Sequence, residues 1–239
     1  MNLIIEKWTS KDGQAFQVFL EGLKREEKLE WTRKILNTNL PLLALTTKQC
    51  KDIAKQISKG NFLSFLDLNL HTFYENVAIN GFLIDEIKDF SVMKKYLDIF
   101  VEYVDTWACC DLLKFKIISK NKEKFFSLSR ECIKSNMPFK RRIGVNVWFK
   151  FFDDEKYIVK IFDLIDCLKS ETHYYVNMAV AWWVAECFVK RRDVAINLFE
   201  EDRLNTFTNN KSIQKCRDSF RVSEEDKNML LKFKNSEEI

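Results

Sequence analysis

The stretch Thr106-Trp107-Ala108-Cys109-Cys110-Asp111-Leu112-Leu113, continuing to Ile118, reads as an apolar helix with small residues at its centre, and three other segments share its character. They are Phe73 to Asp85, Arg141 to Asp153 and Val176 to Phe188, each preceded by a helix with one apolar face. The four starts lie 33, 35 and 35 residues apart, close to the length of known helix-pair repeats. Stacked pairs of this kind bury their faces only against neighbouring pairs, so the expected architecture is a curved array. Residues 1–239 are expected to form one such domain, with a charged tail over about 233–239 that frays.

Outward from these segments the spacing stays helical. Phe16, Phe19, Leu20 and Leu23 mark one face, Phe73, Val77 and Ile84 another, and no period-two strand pattern emerges. The chain has only 5 Gly and 2 Pro in 239 residues, too few for the tight turns of most all-β folds. Those glycines stand far apart and form no phosphate-cradling loop, so a nucleotide cofactor is not expected. Seven Cys without a C-x-x-C pair, and only His71 and His173 as imidazoles, argue against a zinc site and a disulfide framework. Residues Met1 to Thr9 lack the basic and apolar regions of a signal peptide, and no apolar run reaches the ~18 residues of a membrane span. A cytoplasmic, monomeric protein with neither metal nor cofactor is therefore expected. A net charge of +4 is too mild to identify a polyanion binder, so the distribution of charge has to decide.

The repeat register selects the candidate site. Trp107, Arg142 and Asn177 are spaced by 35 and 35, and one turn further come Asp111, Asn146 and Ala181, followed by Trp182. Two tryptophans, an Arg, a carboxylate and two amides would then share one face, where packing alone would place aliphatic side chains. Taken singly, a Trp is more often core and an Asp more often a solvated helix residue. An Asp inside an apolar segment, however, is costly unless it has a use. His173 reads as a capping or packing residue, and Cys109-Cys110 lack a base to activate them.

The Trp-x-x-x-Asp spacing of Trp107 and Asp111 resembles the motif of the AlkD family of HEAT-like-repeat DNA alkylation repair proteins, glycosylases that remove cationic alkylated purines. Arg142-Ile143-Gly144-Val145 looks like that family's cleft-arginine helix. Ala179-Val180-Ala181-Trp182 looks like its second cleft tryptophan, and Lys211-Ser212-Ile213-Gln214-Lys215 like its C-terminal helix. The resemblance covers about residues 14 to 230 and implies an all-α, curved α-solenoid of HEAT-like helix-pair repeats. It further implies double-stranded DNA carrying alkylated purines as partner, Asp111 as catalytic carboxylate and Trp107 and Trp182 as cleft walls. Arg142 is implied as a phosphate anchor, with Asn146, Asn177, Lys211 and Lys215 as further DNA contacts.

The sequence departs from that family at Leu43-Ala44-Leu45-Thr46-Thr47-Lys48-Gln49-Cys50, where a Gly turn followed by Pro and Arg is usual. Residues Glu26 to Leu36 either form a separate DNA-facing helix or extend the first one. Lys190, Arg191 and Arg192, with Lys211, Lys215, Arg217 and Arg221, form a second basic concentration that would extend a positive rim. Two alternatives stay open at this point: an AlkD-like paralogue that binds DNA without excision, and a helical-repeat scaffold for protein partners.

Overall fold

The computed structural model describes residues 1–236, and among these every regular element is a helix. The chain clusters into two compact units, Met1–Asn121 and the residues from Lys122 onward. The last three positions of the expected fraying tail lie outside the described residues.

The first unit runs through α1 (Ser10–Glu21), α2 (Leu29–Leu36), α3 (Thr47–Ile57), α4 (Phe62–Leu66), α5 (Tyr74–Ile84), α6 (Phe90–Phe100) and α7 (Trp107–Asp111). The starts of α1 and α3 are capping boxes, Thr9 with Asp12 and Thr46 with Gln49, which satisfy orphan amides reciprocally. Asp89 accepts from Val92 N at the start of α6. α5 is buried almost all round and packs against α3 and α6. Trp8, Phe16 and Phe65 close one end, with ring centroids 4.8–5.9 Å apart at steep angles.

The second unit holds α8 (Lys122–Ile133), α9 (Pro138–Trp148), α10 (Glu155–Asp166), α11 (Tyr174–Lys190), α12 (Arg192–Ala195), α13 (Asn197–Glu200), α14 (Thr206–Asp218) and α15 (Glu224–Leu230). α8 packs on α9, α9 on α11, and α11 on α14, so successive repeats are joined through their inner helices. Trp148 and Trp183 are fully buried and meet edge to face at 5.7 Å. Gly144 lets α8 approach α9 closely, because a Cβ there would sit 2.9 Å from that of Cys132. Ser129 completes this interface, donating to Gly144 O at 2.8 Å and accepting from Trp148 Nε1 at 2.7 Å. Ser129→Ala strands a buried indole N–H, and a loss of about 2 kcal/mol in urea unfolding is expected. A loss below about 0.5 kcal/mol would show that the indole finds another acceptor.

α5 and α11 fall on two of the four expected segments, and α9 on the third, though it ends at Trp148 where the spacing predicts Asp153. The fourth is a correction: α7 ends at Asp111, whereas the spacing predicts helix to Ile118. The buried carboxylate of Asp85 accepts from Lys114 N and Phe115 N at 2.7 Å each, and Phe115 takes a left-handed backbone at φ 50°. Those two amides are withdrawn from the helical ladder, which stops the motif helix after a little more than one turn. Apolar periodicity continues past that point because Leu112, Leu113 and Phe115 are core residues of a turn.

Candidate functional site

α7 is held by contacts with the end of α2. Thr106 caps α7 through Ala108 N and donates its own hydroxyl to Leu36 O, and Trp107 Nε1 donates to Ile35 O at 3.3 Å. The preceding Asp105 takes Thr38 Oγ1 at 2.6 Å and Asn39 N at 2.7 Å. Trp107 is thereby fixed by its ring nitrogen and by the backbone of its own helix.

α2 is a helix in its own right, separated from α1 by a 3-10 turn over Glu26–Lys28 and ended by Asn37 in the left-handed region at φ 50°. The reading of Glu26 to Leu36 as an extension of the first helix is set aside. Trp31 is 65% exposed, and Ile35, Lys28, Arg33 and Lys34 are also exposed. Such apolar exposure on a helix that buries only Leu36 marks a working surface.

The departing stretch at 43–50 forms the floor between these helices. Leu42 to Leu45 run as a buried, irregular strap whose amides lack a ladder partner. Glu75 of α5, itself fully buried, supplies the acceptor: Leu43 N at 3.1 Å and Leu45 N at 3.2 Å donate to its carboxylate. Burial pushes the Glu75 carboxyl above the ordinary glutamate range, and these amides partly offset it. Ala44 adopts φ 59°, the left-handed conformation a glycine would take without steric cost.

Together α2, the strap and α7 enclose a groove of about 850 Å³ within the first unit. Trp31 and Ile35 line one wall, Trp107 and Asp111 another, with Ala44 and Leu45 beneath. Lys28, Lys51 and Lys114 stand along its edge and are exposed. Asp111 is half-buried, and the Lys114 ammonium donates to its backbone carbonyl at 2.7 Å. Cys50 also lines the groove, and burial pushes its thiol up to about 12, while complete burial holds the Cys109 thiol well above the ordinary cysteine range. Neither is a nucleophile at neutral pH.

In the second unit the 35-residue register is physically present but points elsewhere than expected. Arg142 and Asn177 occupy equivalent positions, and both are buried because that side of each inner helix faces the next inner helix. Arg142 donates to Tyr175 O, at the start of α11. Asn177 donates to Glu171 O at 3.0 Å and accepts from Asn205 Nδ2 and Thr208 Oγ1, both at 3.1 Å. The Asn177 amide thus ties α11 to α14 inside the layer. Asn146 is half-buried on α9. Trp182 is 40% exposed and rests on Phe149 at 4.5 Å, while its neighbour Trp183 turns into the core.

Lys211 and Lys215 lie half-buried on α14. Burial first, then the nearby Arg142 guanidinium, lowers the Lys215 ammonium below the usual lysine range. Like charges held together in this way favour an anion between them. Three cations of the second basic concentration are ion-paired, Arg191 with Glu155 at 3.2 Å, Arg192 with Asp226 at 2.7 Å, and Arg221 with Glu186. His173 packs its ring on Phe139 at 5.5 Å, as a packing residue should.

A family model described as DNA alkylation repair enzyme matches residues 17–209, well over half of the chain. The chain belongs to the DNA alkylation repair enzyme family. The matched span of this repair protein contains α2, the strap, α7, α9 and α11, and ends before Lys211 and Lys215. No curated protein matches the chain. Family membership gives the protein a role in DNA repair, with DNA as its substrate. Among the described residues no helix is long and apolar enough to cross a membrane, and no cluster of His, Cys, Asp and Glu could hold a metal ion.

Sequence reasoning missed Trp31, Ile35 and Glu75 as parts of this site. A signal existed for two of them: Trp31 stands in a polar run, and Glu75 is the one charged residue of the mostly apolar Tyr74–Ile84.

Proposed function

We propose that this repair protein is a DNA glycosylase that hydrolyses the N-glycosidic bond of cationic N3- or N7-alkylated purines without drawing the base into a closed pocket. The observation that carries the reading is the pairing of the Asp111 carboxylate with the Trp107 indole on one wall of a groove edged by lysines. An alkylated purine carries positive charge, so the C1′–N9 bond breaks with its electron pair leaving on a base that becomes neutral. No acid need protonate the leaving group. Asp111 stabilises the oxocarbenium that forms at C1′ and orients the water that attacks it, and the proton of that water passes to the carboxylate or to solvent. The faces of Trp107 and Trp31 attract the cationic nucleotide. In the second unit, Trp182 and Asn146 contact DNA, and Lys211 and Lys215 hold backbone phosphate, with the buried Arg142 adding positive charge beneath them.

Incubating the purified protein with duplex DNA containing 7-methylguanine or 3-methyladenine should release free base, measured by chromatography. Uracil or hypoxanthine in matched duplexes should not be released, because their neutral bases need an acid catalyst. Affinity for DNA should fall steeply with salt as counterions are released. DNA binding without release of any cationic base would identify a non-excising paralogue. Absence of both would leave a protein scaffold.

A further inference from the structure

The inner helices of the second unit all begin with aromatic residues. Phe139 is the second residue of α9, Tyr174 the first of α11 and Phe207 the second of α14, at intervals of 35 and 33 residues. Their rings are linked into one row. Phe139 meets His173 at 5.5 Å and Tyr175 at 6.0 Å, Tyr175 meets Tyr174 at 5.1 Å, and Tyr174 meets Phe207 at 5.8 Å. One end of the row is open, with Tyr174 53% and Phe207 37% exposed, while Phe139, His173 and Tyr175 are half-buried. Core packing does not explain this exposure, since the fully buried pair Trp148 and Trp183 serves the core of the same unit.

Cations flank the exposed end. Lys211 holds its ammonium 5.9 Å above the Phe207 ring, one turn along α14, and Lys215 follows one turn later. Glu171, which accepts from His173 N in the row, is also engaged by Arg141 at 2.6 Å and by the amide of Thr172. The surface therefore offers ring faces and edges beside positive charge, with its local carboxylate already committed. That combination suits a strand whose bases are unstacked and whose phosphates need a counter-charge, and it does not suit a base-paired duplex, which hides its base faces.

We infer that Tyr174 and Phe207, with Lys211 beside them, form a stacking platform for unpaired nucleotides of DNA. This rests on the reading that the protein acts on DNA, but not on which lesion it excises. Each stacked base is worth ~1–3 kcal/mol by alanine truncation, so one ring lost corresponds to about tenfold in affinity.

The test is fluorescence anisotropy with a labelled oligothymidylate of about 12 nucleotides and a duplex of the same length, using the full chain at fixed salt. Tyr174→Ala and Phe207→Ala should each weaken oligothymidylate binding about tenfold and change duplex binding by less than about twofold. Tyr174→Trp should retain or improve it, which separates stacking from folding, and thermal unfolding of each variant guards the comparison. Release of 7-methylguanine from duplex by Tyr174→Ala and Phe207→Ala should stay at the wild-type level. Its absence in all proteins would fail the glycosylase reading while leaving the platform standing. Equal oligothymidylate affinity in wild type and both alanine variants would overturn the platform. So would tighter binding of an RNA of the same sequence length, or equal losses on single strand and duplex.

Discussion

Asp111→Asn is expected to slow release of 7-methylguanine about a hundredfold to a thousandfold while leaving DNA affinity unchanged or higher. The substitution keeps shape and hydrogen-bonding size, and Asp111 is half-buried at the end of α7, so the fold survives it. It removes the negative charge that opposes the developing sugar cation. The same charge repels phosphate, so its loss cannot weaken binding to a polyanion. A single-turnover assay, with base release measured beside binding isotherms, separates the two effects. Matching release rates in wild type and variant would remove the carboxylate from the chemistry.

The largest expected effect on stability lies at Glu75. Glu75→Ala leaves the buried amides of Leu43 and Leu45 without their acceptor and opens space beneath the strap, at a cost of about 3–5 kcal/mol in urea unfolding. Glu75→Gln keeps one accepting oxygen and should lose about half as much. The two variants also test the direction of the pKa shift. Because burial raises the Glu75 carboxyl in the folded state, its proton is bound more tightly there than in the unfolded chain. The stabilisation from that proton is complete below the ordinary glutamate range and disappears as pH rises through the raised value. The stability gap between wild type and Glu75→Gln should therefore shrink with rising pH across that window. A gap that widens instead would mean that the amides, not burial, dominate the carboxyl.

Glu75 also couples stability to the site. The strap it holds is the floor of the groove that contains Trp107 and Asp111. Ala44 keeps its left-handed backbone there because the amides on either side are tied to a buried carboxylate. The stretch that departs from the usual family pattern still makes a turn of the kind a glycine would favour, using a different residue and a tertiary hydrogen bond.

Much of this protein is legible in the order of its residues. Few glycines and prolines, helical spacing from Phe16 onward and a period of 33 to 35 residues fix an all-helical chain of repeats, because apolar faces at that spacing can be buried only by stacking helices. The Trp107 and Asp111 pair is legible too, since four residues place both on one side of one helix turn. What periodicity cannot show is where a helix stops and which neighbour a polar side chain meets. α7 ends at Asp111 because Asp85, some 30 residues earlier, takes the next amides. Arg142 and Asn177 share a register position with Trp107, yet both are spent on the following inner helix, because in a stacked layer one side of every helix faces its neighbour. The wall made by Trp31 and Ile35, and the strap pinned by Glu75, likewise arise from contacts between residues far apart in the chain. Local pattern determined the elements and their repeat. Tertiary structure decided which polar groups remain available for DNA, because a buried donor or acceptor is claimed by the partner that burial places beside it.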